Sequence, residues 1–113
     1  MEMPRPLPEP LIEVIAERFR VIGEPMRIRL LDSLRDGEAT VGELTERLEA
    51  SQQNVSKHLG VLHRAGIVRR EKQGTSVHYS IADDSVFDLC EQVCGGLRQQ
   101  ASELEHLLAG GTR

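Results

Sequence analysis

Two thiols and a cluster of cations are the side chains best placed to do chemistry in this chain. The thiols are Cys90 and Cys94, the only cysteines, in the stretch LCEQVCGGL. On a helix, residues four apart share a side, with Cβ atoms about 6 Å apart. A disulfide needs about 3.8 Å, so a bridge within one helix is disfavoured. A thiophilic ion of larger reach, such as arsenite or cadmium, can span two such thiolates, and soft sulfur donors select against magnesium and calcium. A third ligand is not evident and could come from a second copy of the chain. The same placement permits an intersubunit disulfide. Cysteine also packs as a small apolar residue. Val86, Cys90, Val93, Leu97, Ala101, Leu104 and Leu108 recur at spacings of four and three, the spacing of a helix–helix seam. Gly95 and Gly96 each cost about 1 kcal/mol in a helix and leave it free to kink or to admit a partner helix closely. Cys90 and Cys94 are thus ligands, redox groups or packing residues.

The cations are segregated. The net charge is −4, yet Ser51–Ser80 holds Lys57, Arg64, Arg69, Arg70 and Lys72 against one acid, Glu71. That segment is net +4 and the remainder net −8. A basic segment on an acidic body is an electrostatic footprint for polyanions, although on charge alone a solvated face explains it better. The histidines His58, His63, His78 and His106 show no pairing at metal-ligand spacing. No Ser/His/Asp arrangement, phosphate loop or carboxylate pair points to an enzyme.

The elements that must position these groups follow from periodicity. Leu11, Ile15, Phe19 and Ile22 form one helical stripe over residues 8–22, behind an extended arm at 1–7 with prolines at 4 and 6. Pro25 opens a second helix carrying Ile28, Leu30, Leu31 and Leu34, with Gly37 as its stop. Thr40 to Glu43 reads as a capping box for a short third helix. Ser51 caps a fourth, running to Ala65 and ended by Gly66. The period then switches to alternation in Val68 and Arg70, and in Val77, Tyr79 and Ile81, predicting a hairpin with KQGTS as a long turn. From residue 84 the helical period returns and lasts to about 109, with a tail at 110–113. One domain over 8–109 is expected, mainly α with a small β-hairpin wing. No apolar run is long enough to span a membrane, the N-terminus lacks a signal-peptide core, and two thiols suit a reducing, cytoplasmic home.

Helix–turn–helix followed by a hairpin is the order of a winged helix-turn-helix. On the fourth helix Val55, Leu59 and Leu62 fall on one side; Gln53, Ser56, Lys57, Gly60 and Arg64 fall on the other. The outer set suits a DNA major groove: amides and cations can pair with base edges or phosphate, and Gly60 lets the backbone come close. Gln52, Gln53, Ser56 and Lys57, near the helix start, are the candidate base readers. Arg69, Arg70, Lys72 and Thr75 of the wing are candidates for phosphate or minor-groove contact. His58 lies about 60° from the core centre by a helical wheel at 100° per residue; it is a packing residue, or alternatively a phosphate contact. A winged helix can also serve protein–protein contacts without touching DNA.

These residues resemble the ArsR/SmtB repressors. FRVIGEPMRIRLLDSL is similar to that family's entry into its second helix, with Glu24 where aspartate is usual, a poorer cap. SQQNVSKHLGVLHRAGIVRREKQGTSVHYSI is similar to its recognition helix and wing. The resemblance covers residues 19–84, with first and last helices of suitable length. It implies a homodimer packed through the first and last helices (8–22 and 84–109), a DNA-binding core at 23–82, and two recognition helices in successive major grooves of an inverted-repeat operator. It also implies release from that operator when an effector binds. Two of the family's metal sites are argued against. The third-helix stretch here is ELTERL (43–48), without thiols, and the last-helix positions are Asp83, Ser85, Gly96 and Gln99, of which only the first could ligate. Sensing through cysteines of the last helix is known in the family, which leaves Cys90 and Cys94 as the candidate effector site, for arsenite or a thiophilic metal ion, for oxidants or reactive sulfur, or for no effector at all.

Overall fold

A computed structural model describes residues 2–110; Met1 and most of the expected tail, 111–113, lie outside the described residues. The elements run α1 (Glu9–Ile22), α2 (Pro25–Leu34), β1 (Ala39–Thr40), α3 (Val41–Leu48), α4 (Gln52–Arg64), β2 (Val68–Gln73), β3 (Ser76–Ile81) and α5 (Ser85–Leu108). The chain packs as two compact units, the first ending at Asp83 and the second beginning at Asp84.

In the first unit α2, α3 and α4 each start on a side-chain cap. Glu24 caps α2, its carboxylate accepting from Arg27 N at 3.1 Å. The longer side chain thus does the work expected of aspartate. Thr40 and Glu43 form the expected capping box on α3: Glu43 N donates to Thr40 Oγ1 at 3.1 Å, and Thr40 N donates to Glu43 Oε1 at 2.9 Å. Ser51 Oγ accepts from Asn54 N at 3.1 Å at the head of α4. Gly66 follows the end of α4 at φ +77, a backbone that L side chains rarely adopt. α3 ends less comfortably, on Glu49 at φ 51, where a side chain is strained.

The core is aliphatic, as the scarcity of aromatics requires. Leu30, Leu31 and Leu34 of α2, Leu44 of α3, and Val55, Leu59 and Leu62 of α4 are buried, with Ile67 and Val68 where the chain enters the wing. Each such side chain contributes about 1.5–3 kcal/mol on leaving water, so the inner face of α4 alone locks that helix onto α2 and α3.

The wing differs from expectation in two respects. It is three-stranded, in the order β1-β3-β2, because Ala39 and Thr40 pair antiparallel with Tyr79 and His78. The turn is also short. Lys72 and Gln73 belong to β2 and Ser76 to β3, in register Gln73↔Ser76, which leaves Gly74 and Thr75 as a two-residue turn. Gly74 has φ +63, the backbone required at the first central position of a type II′ hairpin turn.

The second unit is α5 with its flanks. The helix runs unbroken through Gly95 and Gly96, and a Cβ at either glycine would meet nothing within 4 Å. Val86 is buried, but Val93, Leu97, Leu104, Leu107 and Leu108 are each more than half exposed. In α1, Ile22 is buried while Val14 and Phe19 are also more than half exposed.

Candidate nucleic-acid interface

α4 has two chemically distinct sides. Val55, Leu59 and Leu62 have no exposed surface, while Gln52, Gln53, Ser56, Lys57 and Arg64 are all exposed. Because the inner side is fixed in the core, the outer side is presented with little freedom. Gly60 lies in this outer row, and a Cβ built on it would sit 3.3 Å from the Arg64 guanidinium. Arg64 therefore folds back along the helix over the one position without a side chain.

His58 does not join this row. The residue is 6% exposed, which favours the packing role over the phosphate contact considered for it. Its Nε2 lies 3.8 Å from Glu24 Oε1, an ion-pair distance when the ring is protonated, and its Nδ1 has no hydrogen-bond partner. Partial burial works to raise the Glu24 carboxyl's pKa, but the Arg27 backbone N–H, the charge of His58, the Met26 N–H and the Arg27 guanidinium outweigh it and hold it below the usual glutamate value. One carboxylate thus caps α2 and faces the ring carried by α4.

The wing cations are split by the pleat. Alternate residues of a strand face opposite sides, so Arg70 and Lys72 share a side with Val68, Val77 and Tyr79. Arg69 shares the other with Glu71, Gln73 and His78. Arg69, Arg70, Lys72 and Thr75 are all exposed, and Arg69 Nη1 is 3.5 Å from Ile81 O. On the Arg69 side, Glu38 accepts from the Gln73 amide at 3.4 and 3.3 Å and lies 3.3 Å from His78 Nδ1. Sequence reasoning missed this cluster. Glu38 sits just ahead of a strand too short to show a period, and nothing in the local sequence links it to residues of a distant hairpin.

On α5, Cys94 is exposed and Cys90 partly so, both as free thiols. Among the described residues no group of three or more His, Cys, Asp or Glu is placed to hold a metal ion. One chain therefore offers two soft donors and no complete coordination shell, and a thiophilic ion fits only if further donors come from elsewhere.

A helix locked by its apolar side, a polar outer side and an adjacent cationic hairpin define the class as a winged helix-turn-helix DNA-binding regulator. Residues 22–71 match the family described as a helix-turn-helix domain. The uncharacterised HTH-type transcriptional regulator Rv0081 of Mycobacterium tuberculosis is 38% identical over 111 residues, covering 92% of this chain and 96% of that one. Its crystal structure superposes with a TM-score of 0.75 over 85% of this chain and 97% of that one, at 35% identity. The HTH-type transcriptional repressor SmtB of the same organism is 36% identical over 80 residues, 71% of this chain and 59% of that one. A homodimeric winged helix-turn-helix DNA-binding domain from Mycobacterium bovis, described as a possible ArsR-family transcriptional regulator, gives a TM-score of 0.68 at 25% identity, covering 95% and 94% of the two chains. The chain belongs to the ArsR/SmtB family of transcriptional regulators, which are DNA-binding proteins and not enzymes. Among the described residues no helix is long and apolar enough to cross a membrane.

Proposed function

We propose that the protein is a homodimeric repressor that places α4 of each copy in successive major grooves of an inverted-repeat operator. The observation that carries this reading is the two-sided α4, rigidly buried on one side and lined by Gln52, Gln53, Ser56 and Lys57 on the other. Those four residues are the base readers. Arg64 and, from the wing, Arg69, Arg70, Lys72 and Thr75 meet phosphate or the minor groove. The exposed apolar residues of α1 and α5 are the surfaces that a second copy covers, in keeping with the homodimeric relative. The test is titration of operator-like and scrambled duplexes at several salt concentrations. A phosphate-driven complex loses affinity with a slope near −0.9 per phosphate neutralised. Salt-independent binding with no preference among duplexes would leave the fold as a protein-contact module.

Cys90 and Cys94 are the proposed effector site. Free, solvent-reachable thiols four apart on α5 suit a thiophilic metalloid such as arsenite, with the thiols of a second copy completing the donor set. Binding there would couple subunit packing to the spacing of the two α4 helices. A coupling of about 1–3 kcal/mol suffices to switch a promoter.

A further inference from the structure

We propose that Glu38 is a positioning residue for DNA binding, fixing the outer half of the wing through Gln73 and His78. The inference rests on the reading of the wing as a DNA contact. The ladder between β1 and β3 ends at Thr40↔His78, whereas β2 and β3 pair outward as far as Gln73↔Ser76. Beyond His78 the wing is a two-stranded ribbon, which is marginal by itself in water. Glu38, one residue ahead of β1, lies beyond the inner end of that ladder, next to the Ala39↔Tyr79 pair, and its side chain extends outward along the sheet. Its carboxylate takes the Gln73 amide at 3.4 and 3.3 Å from β2 and lies 3.3 Å from His78 Nδ1 on β3. The His78 contact is off hydrogen-bond geometry and is an ion pair only when the ring is protonated, so the Gln73 amide supplies the directional bond. One side chain thus ties both wing strands to the segment entering β1. Lys72 and Thr75, proposed to meet the DNA backbone, flank that tie.

The energetic logic is one of population. A wing that samples several positions binds with an affinity reduced by the fraction of time it spends in the competent one. Glu38 raises that fraction. The sign of the effect separates this role from simple electrostatics. Deleting an acid beside a phosphate-facing wing would by itself tighten DNA binding, whereas loss of the tie weakens it.

The experiment uses the full-length chain with Glu38→Ala, Gln73→Ala, the double variant and Glu38→Gln. Amide hydrogen exchange over residues 72–77 is measured in the free protein, and duplex affinity in parallel. Each alanine variant should speed exchange severalfold and weaken DNA binding about three- to tenfold, the range for one lost hydrogen bond. The double variant should be no weaker than the worse single variant, and the thermal midpoint should stay that of the wild type. Glu38→Gln keeps an oxygen for the Gln73 amide and should recover most of the loss. Unchanged exchange in Glu38→Ala, binding as tight as wild type or tighter, or additive losses would each overturn the proposal. A wild-type chain that binds no duplex would sink the DNA reading, while the exchange data would still report whether the wing is tied.

Discussion

Replacing Gly60 with alanine should make the free protein more stable and the DNA complex weaker. Gly60 sits inside α4 on its outer side. Glycine in a helix interior is about 0.8–1.0 kcal/mol worse than alanine. The added methyl would meet only the far end of the Arg64 side chain, at 3.3 Å, which can shift by a few tenths of an ångström. The helix gain therefore survives nearly whole, and a melt should show a rise of about 4 °C. In the complex the same methyl occupies space that the reading assigns to DNA. Overpacking a tight contact costs about 1 kcal/mol or more. Two copies per operator would then lose about 2 kcal/mol, roughly 30-fold in affinity. The assay is a thermal melt and a duplex titration by fluorescence anisotropy on the same preparation. A variant that is more stable and binds DNA as tightly as the parent would refute the placement of this side of α4 against the groove.

Four further outcomes are expected. Arg64→Ala should reduce the log–log salt slope of duplex binding by about 1.8 for a dimer, one phosphate per copy; an unchanged slope would remove Arg64 from the interface. Glu43 is held below its ordinary value of 4.5 chiefly by the Thr40 backbone N–H, with burial opposing and the Thr40 hydroxyl, Arg47 and His78 assisting. Its contribution is therefore present above the unfolded-state value and is lost as pH falls through the lowered one, so Glu43→Gln should flatten the acid limb of a pH–stability curve below pH 4.5. Glu49→Gly should stabilise the protein by up to about 1 kcal/mol by relieving the left-handed cap, read as a higher denaturation midpoint. Titration of reduced protein with arsenite should give a stoichiometric rise in near-ultraviolet thiolate absorbance that disappears when Cys90 and Cys94 become serine; a flat trace would leave those thiols to redox chemistry or packing.

What was legible in the sequence was whatever periodicity or a cap could encode. The wheel that set Val55, Leu59 and Leu62 inward matches their complete burial, and the capping box at Thr40 and Glu43 forms as read. The features that escaped depend on distant pairing. β1 is two residues long and carries no period; it exists because β3 offers it a partner. The wing turn looks long in the sequence because Lys72, Gln73 and Ser76 are exposed on both sides of the ribbon, so no apolar alternation marks them as strand. Glu49 in a left-handed cap has none of the usual glycine signal. A helical wheel puts His58 near the rim of the core by angle alone, and only the packing of α2 against α4 brings it next to Glu24.

That last contact bears on how the chain can change over generations. Glu24 closes the end of α2 and also faces a ring whose other nitrogen is already without a partner. Aspartate at 24 would cap at least as well, but it would stop a methylene short and lengthen the 3.8 Å approach to the ring. Leucine at 58 would satisfy the core but remove one of the charges that hold the Glu24 carboxyl below its usual value. A change at either position thus alters the setting of the other, across the contact between α2 and the helix proposed to read DNA. Substitutions at 24 and 58 are therefore expected to be non-additive, each tuning what the other can become.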